Sequence, residues 1–320
     1  HQWFGNHVTC SSWSDIWINE GFATYSEYLV LENLQMAAAA RSWLLGTQED
    51  VLSSPGGSIY IPFNEIQDVW RIFDGRLSYG KGACILNMLR FELNDDELFF
   101  NIYKTFQNQF SHSVASGDDF KGVVETLSNK DFDWFFDQWY YGEGYPKFNF
   151  VFWQSNDTLY VKSTQTASTT TIPFFRTSLE IKVFNQDTDT ILRVEQTEAE
   201  QIFTLLPGFQ VSGIQADPNI RILKKVISTT NLYDPKDLGE SVTLFPNPAS
   251  SYVKIFIPWF ESWNQFTIEI VDLCGKKVLQ QTINGSNQSI DLSGLSTGSY
   301  IVRGFDENHK LQFNKKLQKW

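Results

Sequence analysis

The 320-residue sequence is poor in sulfur, with cysteines only at Cys10, Cys84 and Cys274 and just two methionines. The cysteines lie far apart without C-x-x-C spacing, which argues against a disulfide scaffold or a thiolate metal site. They read instead as small buried fillers. Long apolar runs are missing too. No stretch approaches 18 uninterrupted apolar residues, so no membrane-spanning helix is expected. Neither an initiator Met nor a basic-then-apolar leader precedes His1, and the chain reads as cut from a longer protein. Positive charge is the other shortage: 25 Lys and Arg stand against 37 Asp and Glu, a formal charge of −12. The deficit is uneven, with −14 over residues 1–240 and +2 over 241–320. An acidic main body repels a phosphate backbone, so nucleic acid is not an expected partner. A peptide with a free ammonium terminus is tolerated or attracted, although an acidic surface kept for solubility explains the charge equally well.

What the sequence does contain is apolar and aromatic mass, 42% and 16% of residues, which with this length implies two or three folded domains. From His1 to about Tyr141 the apolar spacing is helical. Phe132, Phe135, Phe136 and Trp139 form one core stripe ending before Gly142, Gly144 and Pro146. Cys84, Ile85, Met88 and Leu89 repeat that spacing in a second buried helix beginning just beyond Tyr79. From Phe148 the period becomes two, through Phe150 and Phe152, then Leu159 and Val161, then Leu179, Ile181 and Val183. Residues 146–227 therefore read as an antiparallel β domain. Residues 228–241 lack periodicity and read as a linker. Beyond them Val253, Ile255, Ile257, Phe266, Ile268, Ile270, Ile290, Leu292, Tyr300 and Val302 alternate again, predicting a small sandwich over 242–320.

Chemistry concentrates in two words, His1-Gln2-Trp3-Phe4-Gly5-Asn6 and Trp17-Ile18-Asn19-Glu20-Gly21-Phe22-Ala23-Thr24. A catalytic zinc needs three neutral or anionic ligands and one open position for water. A His and a Glu separated by 18 residues fit part of that set, but as bare spacing such a pair occurs by chance in most proteins. Glu20 is expected in the first turn of a helix capped by Ser14 or Asn19. Thr24 and Glu27 would share its face, either orienting the carboxylate or simply packing and facing solvent. Asp15 carries the same ambiguity. His7, His112 and His309 read as surface or hydrogen-bonded histidines, and Trp3, Trp13 and Trp17 as core around the site.

Taken as words, these segments closely resemble the zinc aminopeptidases of the aminopeptidase N family, a branch of the gluzincins. That family's pattern is H-E-x-x-H, eighteen residues, then E. The resemblance makes His1 the second zinc histidine and Glu20 the third ligand of one zinc ion. It continues at Leu77-Ser78-Tyr79-Gly80-Lys81-Gly82-Ala83, which looks like the family's Y-x-K-G segment and implies a catalytic Tyr79 that donates to the developing oxyanion. It extends through Asp131–Trp139 and Gly144-Tyr145-Pro146, covering about 1–225. The first His and the general-base Glu of H-E-x-x-H would fall before His1, as would the family's G-x-M-E-N segment, which reads a substrate's amino group. The 320 residues alone are therefore expected to be inactive.

The last 80 residues carry a second resemblance. Leu244-Phe245-Pro246-Asn247-Pro248-Ala249-Ser250, Val271–Val278 and Ile290–Tyr300, with a basic C-terminus, are similar to the C-terminal sorting domain of the type IX secretion system of Bacteroidetes. As turn chemistry alone these words fit any small sandwich, with Lys315, Lys316 and Lys319 on a solvated edge.

Together the resemblances imply a multidomain α + β chain. Its parts are the second half of a helical gluzincin catalytic domain over 1–145, an antiparallel β-sandwich over 146–227, a linker over 228–241 and an Ig-like sorting domain over 242–320. They imply an exported metallo-aminopeptidase, secreted or at the cell surface, with peptide substrates and the type IX machinery as partners. The alternative reading is a non-catalytic peptide-binding or adhesion protein on a peptidase scaffold.

Overall fold

A computed structural model describes residues 1–155, 157–231, 242–257, 266–306, 309 and 311–320. The architecture is mixed, with helices first and several β-sheets after. It divides into two compact units, His1–Phe152 with Tyr160–Thr230, and Trp153–Leu159 with Asn231–Trp320.

In the first unit a short strand β1 (Val8–Cys10) leads through a 3-10 turn at Trp13–Asp15 into helix α1 (Trp17–Asn33), followed by α2 (Ala37–Val51). A short α3 (Val69–Ile72) precedes a π-helical turn at Gly75–Lys81, which runs directly into α4 (Gly82–Leu93) and then α5 (Asp96–Gln109). Strand β2 (Ser113–Ala115) pairs in parallel with β1. Helices α6 (Gly117–Ser128) and α7 (Asp133–Phe136), with a second π turn at Asp137–Tyr141, complete the helical part.

The core is a stack of rings. Phe22 of α1 lies 4.7 Å from Phe4, 5.1 Å from Trp17, 4.9 Å from Phe120 and 5.8 Å from Phe106, measured between ring centroids. Edge-to-face and offset pairs of this kind add about 0.5–1.5 kcal/mol each beyond the area they bury. The predicted stripe Phe132, Phe135, Phe136 and Trp139 is buried, as are Cys84, Ile85, Met88 and Leu89 on α4.

The strands follow from Pro146. β3 (Pro146–Ser155), β4 (Thr158–Ala167), β7 (Glu200–Leu205) and β9 (Lys225–Asn231) form a sheet in the order β7-β4-β3-β9. β5 (Thr177–Phe184), β6 (Asp189–Gln196) and β8 (Gly213–Ala216) form another in the order β6-β5-β8. Every apolar residue of the period-two reading, from Phe148 to Val183, is buried. Of the expected linker, Ser228–Asn231 close β9 and residues 232–241 lie outside the described residues.

The second unit holds β10 (Thr243–Phe245), β11 (Tyr252–Phe256), β12 (Phe266–Asp272), β13 (Lys277–Ile283), β14 (Asn287–Asp291), β15 (Gly298–Phe305) and β16 (Leu311–Lys319). They make two sheets, β10-β11-β14 and β13-β12-β15-β16. One apolar cluster draws on both, with Val253, Ile255 and Ile290 from the first and Ile268, Ile270, Val302, Phe313 and Leu317 from the second. The Asn247 side chain donates to the Lys316 carbonyl at 2.8 Å and accepts from the Gln318 N–H at 2.9 Å, pairing with the free edge of β16 as a main-chain amide would.

Burial corrects three expectations. Only Cys84 is a buried filler; Cys10 is half-buried and Cys274 exposed. Lys319 is buried, with its ammonium on the Trp320 carbonyl at 2.6 Å, rather than on a solvated edge. Trp17 is core, but Trp3 is 68% and Trp13 49% exposed.

Candidate active site

His1 is set by the turn that follows it. Its carbonyl accepts the Asn6 N–H at 3.1 Å, the Gly5 N–H reaches the Val8 carbonyl at 2.7 Å, and the Thr9 hydroxyl holds the Gly5 carbonyl at 2.6 Å. Phe4 in the middle of this turn is buried against Phe22 and Tyr103, so the turn is anchored on the ring core.

Glu20 lies in the first turn of α1 and is buried. The helix starts differently from expectation: Ile16 occupies the cap position without a side-chain cap bond. Ser14 belongs to the preceding 3-10 turn, and Asn19, already inside the helix, accepts the Cys10 N–H at 3.0 Å. An Asn near a helix start satisfies a nearby strand here instead of the helix's own N–H groups.

Tyr79 stands in the π-helical turn, whose entry is capped by Asp74 accepting the Leu77 N–H at 2.9 Å. Two glycines bring it to Glu20. A Cβ on Gly21 would lie 2.9 Å from the Gly82 Cα, and one on Gly82 would lie 3.0 Å from the Gly21 Cα. The main chains of α1 and α4 therefore touch at this point, one residue after Glu20 and three after Tyr79. Reading the sequence for chemistry missed both glycines; the signal was a glycine inside each helix-forming word, where close backbone approach is a standard reason for one.

The result is a three-residue constellation. His1 Nε2 lies 3.1 Å from Glu20 Oε2, with His1 about half exposed. The Tyr79 hydroxyl lies close enough to the Glu20 carboxylate for each to shift the other's titration. Burial pushes the Glu20 pKa up, opposed by the neighbouring Tyr79 hydroxyl. Burial, with the neighbouring Glu20 charge, pushes the Tyr79 phenol up to about 12, so it keeps its proton at neutral pH.

The donor set fits zinc. Glu20 Oε2 is buried and faces the His1 nitrogen at 3.1 Å. Two ligands at zinc–nitrogen and zinc–oxygen lengths in tetrahedral array stand about 3.4 Å apart, and less when the angle is compressed. An imidazole nitrogen and a carboxylate oxygen 3.1 Å apart are compatible with that arrangement.

Other candidates are placed elsewhere. The Thr24 hydroxyl donates to the Glu20 main-chain carbonyl at 2.7 Å rather than to its carboxylate. Glu27 is exposed and accepts from the Trp43 indole at 3.2 Å. Asp15 is buried; it accepts the Gly117 N–H at 2.7 Å and the Tyr140 hydroxyl, tying the start of α6 and the second π turn to the segment ahead of α1. His112 is exposed and packs edge-on against the half-buried His7 at 4.9 Å.

Residues 1–139 match the family described as "Peptidase family M1 domain". Residues 243–319 match the "Secretion system C-terminal sorting domain". The M1 portion is similar to glutamyl aminopeptidase of Sus scrofa, 33% identical over 154 residues, 47% of this chain and 16% of that protein. It is also similar to aminopeptidase M1-A of Oryza sativa subsp. japonica, 33% identical over 158 residues, 47% of this chain and 17% of that protein. Tricorn protease-interacting factor F2 of Thermoplasma volcanium is 29% identical over 157 residues, 46% of this chain and 19% of that protein. The chain thus spans less than a fifth of the length of these relatives. In fold it resembles the crystal structure of Legionella pneumophila aminopeptidase A in complex with aspartic acid, with a TM-score of 0.53 at 17% identity, covering 74% of this chain and 26% of that one.

Proposed function

We propose that this chain contributes part of the active site of a zinc-dependent aminopeptidase that removes N-terminal residues from peptides. The observation that carries the reading is the convergence of His1 Nε2 and Glu20 Oε2 at 3.1 Å, beside the Tyr79 hydroxyl. His1 and Glu20 would hold one zinc ion, with the remaining histidine and the general-base glutamate of an H-E-x-x-H segment coming from outside these 320 residues. The chemistry zinc supplies when bound is Lewis-acid polarisation of a water and of the scissile carbonyl.

Tyr79 donates its proton in a hydrogen bond to the oxygen on which negative charge develops, and its raised pKa keeps that donor intact through neutral pH. Glu20 brings a buried negative charge to a site that would otherwise collect only neutral imidazoles, so its desolvation is offset when a cation is present. Thr24 fixes the main chain of the first turn of α1 beneath Glu20.

The sheets of the first unit and the two of the second are read as β-sandwiches, over 146–227 and 242–320. The sorting domain is read as a type IX export signal that takes the protein to the surface or the medium.

The test uses the longer polypeptide that includes H-E-x-x-H, an amino-acyl reporter substrate and dialysis against a chelator. Tyr79→Phe should lower kcat by about 10²- to 10³-fold, about 2.7–4 kcal/mol. Glu20→Gln should release zinc on dialysis that the parent retains. Residues 1–320 alone should show no turnover and weak zinc binding; tight stoichiometric zinc and turnover by that chain would contradict the assignment.

A further inference from the structure

Lys81 is the charged residue with the strongest burial, 2% exposed, and the catalytic reading of its segment leaves it without a task. Its ammonium donates to the Gly57 carbonyl at 2.8 Å and to the Gly142 carbonyl at 3.1 Å. Both partners are main-chain groups on loops remote in sequence. A lysine kept for packing alone would be replaced at lower cost by methionine, because a buried ammonium loses its hydration and regains only two carbonyl bonds here.

The loop it grips is held from several sides. Arg76 Nη2 donates to the Gly56 carbonyl at 2.9 Å, and the Gly57 N–H donates to Glu143 Oε2 at 2.9 Å. Gly57 has φ +99°, and a Cβ there would meet Leu77 Cδ1 at 2.6 Å, so the loop lies flat against the π turn. Arg76 and Lys81 stand five residues apart, the spacing that a π turn closes with its i→i+5 hydrogen bond. They take the consecutive carbonyls of Gly56 and Gly57, with Tyr79 between them. An α-helical turn would place positions 76 and 81 on different faces.

We propose that Lys81 is a positioning residue for Tyr79: with Arg76 it fastens the π-helical turn to the 56–57 loop and to Gly142, and so fixes the direction in which the Tyr79 hydroxyl meets Glu20. This rests on the reading of Tyr79 as the oxyanion donor. A displacement of about 1 Å in such a donor is worth up to about 100-fold in rate, while substrate binding away from the reacting carbonyl is untouched. The clamp therefore acts on kcat and leaves KM alone.

The experiment compares Lys81→Met, Lys81→Gln, Tyr79→Phe and the double variant Tyr79→Phe/Lys81→Met in the longer polypeptide with its H-E-x-x-H segment. Lys81→Met should lower kcat by about 100-fold with KM unchanged. Lys81→Gln, which keeps an N–H donor group on a shorter side chain, should recover part of it. The double variant should be no slower than Tyr79→Phe alone. Losses that multiply would overturn the positioning role and spare the catalytic one; full kcat in Tyr79→Phe would overturn both. A second readout needs no metal. In the 320-residue chain, the ring resonance that disappears in Tyr79→Phe should shift in Lys81→Met while those of buried Tyr25 and Tyr103 stay. An unmoved Tyr79 signal would overturn the proposal. Should Lys81→Met fail to fold, Lys81→Gln carries both comparisons.

Discussion

Lys81 also sets a pH dependence that separates it from the rest of the chain. Burial lowers its pKa to about 7; Arg76 and Arg71 nearby push the same way, and Glu143 opposes them. An unfolded lysine titrates near 10.4. Below about 7 both states carry the proton, and the native state bears the full cost of a buried charge. Between about 7 and about 10.4 the unfolded chain binds a proton that the native chain does not, so this group's contribution to stability rises with pH. Its neutral amine keeps two N–H donors for the two carbonyls. Chemical denaturation of the 320-residue chain at pH 6.5 and pH 9.5 should show the parent gaining stability relative to Lys81→Met over that interval. An equal difference at both pH values would mean that the Lys81 ammonium is not desolvated. The residue-level reading of the sequence went furthest where a side chain's role depends on its identity: an imidazole, a carboxylate and a phenol in recognisable words. It included Lys81 in one of those words but gave it no role, because the partners of that ammonium are carbonyls, which every residue carries.

Among the elements, the contact of α1 with α4 decides whether the site exists, since Glu20 and Tyr79 reside on different elements and meet only because Gly21 and Gly82 let two backbones touch. Gly21→Ala or Gly82→Ala puts a methyl within about 3 Å of main chain that has no rotamer to change. Overpacking of this kind costs about 1–3 kcal/mol. Gly46 is a built-in control. It sits on the exposed side of α2, and a methyl added there would have nothing within 4 Å, so Gly46→Ala should stabilise by about 0.5–1 kcal/mol through helix propensity. Urea denaturation of the three variants checks both signs; a stabilising Gly82→Ala would show that the helices are not in contact. The strands from Phe148 to Val302 were legible because alternation is enforced by a buried face, and the Phe132–Trp139 stripe because a helix repeats its buried side every three or four residues. Three things were not. The π turn at Gly75–Lys81 has no composition of its own. The start of α1 hid behind two candidate cap residues, Ser14 and Asn19, of which neither caps it. The exposure of Trp3 and Trp13 depends on which elements pass over them, and local sequence carries no record of that.

For the whole molecule, charge and architecture change at the same place: the −14 of residues 1–240 gives way to +2 over 241–320, and the last strands build their own two-sheet core. A segment of about 80 residues with a core of its own is large enough to fold without help from elsewhere. If it is an export signal, it should therefore act on any cargo. Residues 242–320 fused to an inert reporter already directed to the periplasm should carry that reporter to the surface or medium of a cell with a type IX apparatus. The strand that matters most in such a fusion is β16. It closes the sheet, supplies Phe313 and Leu317 to the core, and is itself held at its free edge by the Asn247 amide. Ending the fusion before Leu311 removes the buried apolar side chains Phe313 and Leu317 and leaves β15 unpaired on that side, so the reporter should stay in the periplasm. Asn247→Ala keeps every core residue but strips two hydrogen bonds from the edge, and it should weaken unfolding resistance by about 1–3 kcal/mol without abolishing the fold. Cell fractionation with immunoblotting distinguishes the cases: export of the chain ending before Leu311 as efficient as that of the whole segment would locate the signal in the earlier strands and detach it from the folded unit.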